Sequence, residues 1–255
     1  PRTLFPYTTL FRSVAALRLG IEHGMTLIDT AEMYAEGGAE EVVGEAIAGQ
    51  RDRVFLVSKV YPHNASRTGI VEACERSLRR LGTEHINLYL LHWPGQHPLE
   101  ETVEAFERLR EAGKIGGWGV SNFDVTDMAH LANPACATNQ VLYNLEQRGI
   151  EFDLLPWAQI HLMPLMAYCP IAQAGHLLKN PVLQDIAARH DATPAQICLA
   201  WVLRNKGVIA IPKAVKPEHI RLNAAAAQLT LTAEDLHAID SAWPAPTRKR
   251  VLAMV

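Results

Sequence analysis

The sequence predicts an α/β protein built on parallel strands, with a (β/α)8 TIM barrel as its form. Short apolar runs alternate with amphipathic stretches along the chain, the spacing of βαβ units around a parallel sheet. Several of those runs end in ionisable residues, Asp29, Lys59 and His92, and barrels of this kind carry their chemistry at strand C-termini. A doubly wound sheet lacks its fingerprint here. The nearest match to its Gly-rich turn, Gly117-Trp118-Gly119-Val120-Ser121-Asn122, has no third glycine and lies inside a mid-chain run.

Taken in order, a helical pattern covers residues 14–23 and the first strand candidate is 26–29 (TLID). The next is 54–59 (VFLVSK). Residues 70–81 follow, where Ile70, Ala73, Cys74, Leu78 and Leu81 keep helical spacing and Gly82 supplies the stop. A strand is expected at 86–92 (INLYLLH), a helix at 99–112 before Gly113, and strands at 117–121 (GWGVS), 137–140 (ATNQ) and 164–168 (PLMAY). Thr193 and Pro194 form a cap and first position for the helix through Leu203. The last strand candidate is 208–211 (VIAI), and Thr232 with Asp235 reads as the capping box of a terminal helix. That makes seven strands where a barrel needs eight.

Composition narrows the partners. A net charge of −3 gives no electrostatic reason to bind nucleic acid or an anionic membrane, and no apolar run is long enough to span a bilayer. Cys74, Cys136, Cys169 and Cys198 are scattered, without a C-x-x-C or a Cys/His cluster. This pattern favours reduced thiols in a cytoplasmic protein over disulfides or a metal site.

Any one of Asp29, Tyr34, Lys59 and His92 has an ordinary structural explanation. Four such groups at strand ends and the loop after them argue for a shared site. The segments GMTLIDTAEMYAEGGAEEVVGEAI, LVSKV, LYLLHWPG and GWGVSNF, followed by NQVLYN, MAYCPIAQAG and IPKAVKPEHI, resemble the successive motifs of the aldo-keto reductases. The likeness runs from about Val14 to Val255. It leans toward the bacterial branch that reduces methylglyoxal and similar small aldehydes. The resemblance implies a catalytic tetrad of Asp29, Tyr34, Lys59 and His92, with Trp93 lining the substrate pocket. The chemistry fits those residue types. A carbonyl that accepts hydride becomes an alkoxide and needs a proton from a nearby acid. A phenol gives it up reluctantly unless a neighbouring cation favours the phenolate.

The resemblance also implies a nicotinamide cofactor. It assigns Ser121, Asn122 and Gln140 to the carboxamide, Tyr168 to stacking on the ring, and Ile171 to the adjoining contacts. In IPKAVKPEHIRLN, Lys213 would meet the 2′-phosphate and Asn223 the adenine. Ala214 and His219 depart from the usual serine and arginine, and a mostly neutral histidine cannot make the bidentate phosphate contact of a guanidinium. NADPH is therefore expected with relaxed discrimination against NADH, and no metal.

Other functions stay open at this point: a Schiff-base aldolase using Lys59, or a non-catalytic nicotinamide-nucleotide-binding relative. The opening, TLFPYTTLFRS at 3–13, is the in-frame translation of a common sequencing-adapter oligonucleotide. Residues 1–13 are accordingly expected to be foreign and 14–255 to form the reductase domain. The authentic first strand is then missing, and a strand-compatible but Pro6-interrupted segment stands in its place.

Overall fold

The computed structural model describes residues 7–173 and 175–255. The foreign stretch predicted at 1–13 lies partly outside these residues, since 1–6 are not among them. The chain forms helices and strands in alternation. They are α1 (Tyr7–Glu22), β1 (Leu27–Asp29), α2 (Gly38–Ile47), β2 (Phe55–Val60), α3 (Gly69–Leu81), β3 (Ile86–Leu91), α4 (Leu99–Glu111), β4 (Ile115–Ser121) and α5 (Val125–Leu131). Next come β5 (Cys136–Leu142), α6 (Leu154–Ile160), β6 (Leu165–Tyr168), β7 (Pro170–Gln173), α7 (Pro181–Arg189), α8 (Pro194–Leu203), β8 (Val208–Ala210), α9 (Pro217–Ala225) and α10 (Ala233–Ala242).

Two compact units divide this chain, one built mainly from residues up to Ser121, the other mainly from those after it. In the first, β1 pairs with β2, β2 with β3 and β3 with β4, all parallel and in sequence order. Register sets Asp29 beside Val57 and Lys59 beside Leu90, so the polar ends of successive strands fall at one end of this sheet. The strands are buried from Leu56 to Val60 and from Leu88 to Leu91, which is why they read as nearly continuous apolar runs. Gly82 closes α3 in a left-handed conformation, φ 61°, the role its position in the sequence predicts. Where the sequence shows a helix over 14–23, α1 already runs from Tyr7. The stretch up to Ser13 that is strand-compatible in composition is thus helical from Tyr7 on. Arg18 on α1 donates to the Ala46 and Glu45 carbonyls at the end of α2, satisfying groups that a helix terminus leaves open.

In the second unit, β5 pairs with β6 from Asn139 onward and β6 with β8, again parallel. Helix α8 is buried on nearly all its length, from Gln196 to Val202, and its capping box joins Thr193 to Gln196. The Thr232–Asp235 capping box of α10 forms as predicted. A polar cluster ties loops together: Arg148 pairs with Glu151 and Asp240 and donates to the Trp243 carbonyl, while Glu151 also receives Tyr143 and Arg204. The strand β7, absent from the sequence reading, opens on Pro170 and carries Ala172 at φ 51°.

Candidate active site

The strand ends of the first unit converge. Lys59 closes the apolar part of β2, is fully buried, and donates from Nζ to Asp29 Oδ2 at 2.6 Å, to the Thr30 carbonyl at 2.8 Å and to the Tyr34 hydroxyl at 3.3 Å. An ammonium has three hydrogens, and these acceptors engage them all. Asp29 ends β1, and the chain then turns so that Tyr34 comes back over the lysine, whose Nζ stands 4.8 Å from the phenol ring centroid. Tyr34 is 38% exposed, while its lysine partner is fully buried. The turn beyond it is tight. Ala35 and Glu36 take left-handed φ values of 53° and 55°, and Gly37 one of 91°. A Cβ on Gly37 would press on the Arg80 side chain at 2.6 Å.

His92, one residue past β3, packs edge-on to Tyr34 with ring centroids 5.7 Å apart, and its backbone N–H donates to Val60. Burial, reinforced by the Lys59 charge, pushes its pKa down to about 3. The imidazole is therefore neutral at physiological pH and offers one N–H donor. Trp93 is half-buried beside it at 4.8 Å and meets Tyr61 edge-on at 5.9 Å. Asp29, Tyr34, Lys59, His92 and Trp93, expected together from the sequence, are brought together. Tyr61 and Glu32 are the neighbours that sequence reasoning missed. Tyr61 follows Lys59 by two positions at the start of a loop, the one signal that could have marked it.

In the second unit three of the expected residues, Asn122, Gln140 and Tyr168, come together. Asn122 sits at φ 60°, a conformation asparagine tolerates, and its N–H donates to the Gln140 carbonyl at 2.8 Å. The Tyr168 hydroxyl donates to Asn122 Oδ1 at 2.9 Å, and Gln140 Nε2 approaches Met166 Sδ at 3.9 Å. Asn122 does not begin the next helix: Asp124 caps α5 instead. Ser121 is buried at the end of β4, in the first unit. Ile171 is half-buried on β7. Lys213 is exposed and Asn223 half-buried in the second unit, and His219 is exposed in the first. Among the described residues no group of His, Cys, Asp and Glu is placed to hold a metal ion.

Parallel strands in sequence order with a buried Lys–Asp pair beside a tyrosine and a neutral histidine define a carbonyl oxidoreductase on a (β/α)8 barrel. The chain belongs to the aldo/keto reductase family, whose model matches residues 11–244. It is 56% identical over 250 residues to methylglyoxal reductase YeaE of Escherichia coli (strain K12), covering 95% of this chain and 88% of that protein. It is 35% identical to a glyoxal reductase of Bacillus subtilis (strain 168), over 89% of this chain and 82% of that one. Among solved structures, an aldo/keto reductase from Klebsiella pneumoniae in complex with NADP and acetate superposes with a TM-score of 0.97 at 54% identity, covering 100% of this chain and 93% of that one.

Proposed function

We propose that the protein is a cytoplasmic, monomeric enzyme that reduces methylglyoxal and similar small aldehydes and ketones to alcohols with NADPH. The observation that carries this reading is the Lys59 ammonium donating at once to Asp29 and Tyr34. A cation held there favours electron density on the phenol oxygen and gives Tyr34 the character of an exchangeable acid. Asp29 keeps Lys59 charged and aimed. Neutral His92, beside Tyr34, serves as a hydrogen-bond donor that orients the carbonyl oxygen. Trp93 and Tyr61 supply an aromatic wall suited to a short carbonyl compound.

The nicotinamide cofactor supplies the hydride. The donor set fits its ring and amide: Asn122 and Gln140 offer both donors and acceptors for a carboxamide, and Tyr168, tethered through its hydroxyl, presents a fixed aromatic surface. The family resemblance assigns Ser121 and Ile171 to the same cofactor. Lys213 supplies the cation for the 2′-phosphate, Asn223 meets the adenine, and exposed His219 gives NADPH only a modest advantage over NADH. The relatives named above, methylglyoxal and glyoxal reductases and an NADP complex, support the same reading. The Schiff-base alternative is disfavoured because every hydrogen of the Lys59 ammonium is engaged.

The test is NADPH-dependent consumption of methylglyoxal, followed at the nicotinamide absorbance. Tyr34→Phe should lower kcat by at least ~100-fold, the lower range for losing a general acid, with NADPH still bound. Wild-type turnover in that variant would overturn the assignment. A clear preference for NADH in kcat/KM would overturn the cofactor choice.

A further inference from the structure

Glu32 lies two positions before Tyr34 on the loop between β1 and α2, and nothing in the chemistry above uses it. Its side chain is buried, with only 6% of the residue exposed. A carboxylate there is costly unless it is paired and hydrogen-bonded, and Glu32 is both. Its Oε1 accepts the Tyr61 backbone N–H at 2.7 Å and the Asn64 side-chain amide at 3.0 Å. Its Oε2 stands 3.5 Å from an Arg76 guanidinium nitrogen. Tyr61 and Asn64 belong to the loop that leaves β2 just after Lys59, and Arg76 sits on α3. One carboxylate thus joins the loop carrying Tyr34, the loop following Lys59, and the helix behind them.

That joint adds to the backbone ties of the Tyr34 loop to β2, Thr30 N–H to the Val57 carbonyl and Glu32 N–H to the Lys59 carbonyl, at the point where the loop becomes exposed. Met33 and Tyr34 are exposed, at 39% and 38%. The two residues after Tyr34 adopt a left-handed conformation that costs an L-residue ~1–2 kcal/mol each. Such a turn persists only if its surroundings fix it. Two hydrogen bonds gathered on one buried acceptor oxygen are strong enough to do so.

We propose that Glu32 is a positioning residue: by clasping Tyr61 and Asn64 it fixes the loop that holds the Tyr34 hydroxyl against Lys59. The effect on turnover rests on the proposal that Tyr34 is the proton donor. The effect on the loop does not. Gln at this position keeps an acceptor oxygen for Tyr61 and Asn64 and loses the ion pair with half-exposed Arg76, which water can solvate, so it should rescue most of what Ala loses.

The experiment compares Glu32→Ala, Glu32→Gln and Tyr34→Phe with the wild-type full chain. It measures kcat and KM for methylglyoxal, NADPH affinity, and amide hydrogen exchange over segments 30–38 and 61–65 without ligand. Glu32→Ala should lower kcat by ~10- to 100-fold, the scale of a misplaced reacting group. Its NADPH affinity should stay within about twofold, and exchange in both segments should quicken. Glu32→Gln should restore kcat and exchange close to wild type. If Glu32→Ala does not fold, Asn64→Ala, which removes one of the three partners, should move both readouts in the same direction by less. Unchanged exchange over 30–38, faster exchange with unchanged kcat, or failure of Gln to rescue would each overturn the proposal. Retained turnover in Tyr34→Phe would instead remove the proton-donor role, while exchange still decides whether Glu32 holds the loop.

Discussion

Burial gives His92 a pKa of about 3 instead of the ordinary 6.5, and the sign of the consequence is definite. The unfolded chain binds the proton below about pH 6.5 and the folded chain does not, so stability is complete above that value. It is lost as pH falls from there toward 3, at up to ~1.4 kcal/mol per pH unit. Two outcomes are expected. The His92 ring resonances should show no titration between pH 5 and 8, and kcat should lack a histidine break in that range. A midpoint near 6.5 assigned to His92 would refute this. The grouping of Asp29, Tyr34, Lys59 and His92 was legible in the sequence because three of them stand at, or just past, the end of an apolar strand run and Tyr34 lies on the loop after one. Glu32 and Tyr61 were not, because a loop residue's partners depend on turns such as the left-handed pair Ala35 and Glu36, which alanine and glutamate do not announce.

Among secondary-structure elements, two contacts invite tests. Helix α2 lies so close to the end of α3 that a Cβ on Gly44 would meet the Arg80 and Leu81 carbonyl oxygens at 2.8 Å. Backbone cannot step aside as a side chain can, so Gly44→Ala should cost ~1–3 kcal/mol, the usual penalty for overpacking, read from urea unfolding. In the second unit Asp235 fastens α10 to α7. Burial pushes its carboxyl up, but hydrogen bonds from His190, Arg189 and Thr232 outweigh that and hold it well below the ordinary carboxylate range. A depressed carboxyl contributes stability above its unfolded pKa near 4 and loses it as pH falls lower. Asp235→Ala should therefore destabilise by ~1–3 kcal/mol at pH 7, the scale of a lost helix cap with its charged hydrogen bonds, and by less at pH 3; an equal loss at both would refute the charge argument. The strands over 54–59 and 86–92 read clearly because they are apolar throughout. β5 read weakly because Thr138, Asn139 and Gln140 are buried there and interrupt the apolar pattern. The short helices α5 and α6, seven residues each, span too few turns for periodicity to show.

For the molecule as a whole, binding NADPH to the folded chain alone must raise its unfolding temperature by mass action. At a free concentration a hundred times Kd the gain is ~2.7 kcal/mol, which for a chain of this size moves Tm by roughly 5–10 °C. NADH at equal concentration should give a smaller shift, and equal shifts would argue against a 2′-phosphate site at Lys213. Fold class and strand order were readable from the alternation of runs, since parallel sheets bury both faces. The starting point of α1 was not: residues from Tyr7 to Ser13 have a strand-like composition yet extend the helical stretch that follows them.

Dicarbonyl compounds glycate proteins, condensing with free amines and guanidines, so an enzyme that handles them risks inactivation by its own substrate. Lys59, the amine proposed to tune Tyr34, is fully enclosed, with its Nζ engaged by Asp29, Thr30 and Tyr34. A dicarbonyl compound has no open path to that nitrogen. Lys213 and Lys216 on the surface have no such shelter. The burial proposed to tune the tyrosine thereby also makes Lys59 a poor target, and damage during prolonged exposure to substrate should fall first on cofactor affinity, with turnover of the loaded enzyme spared.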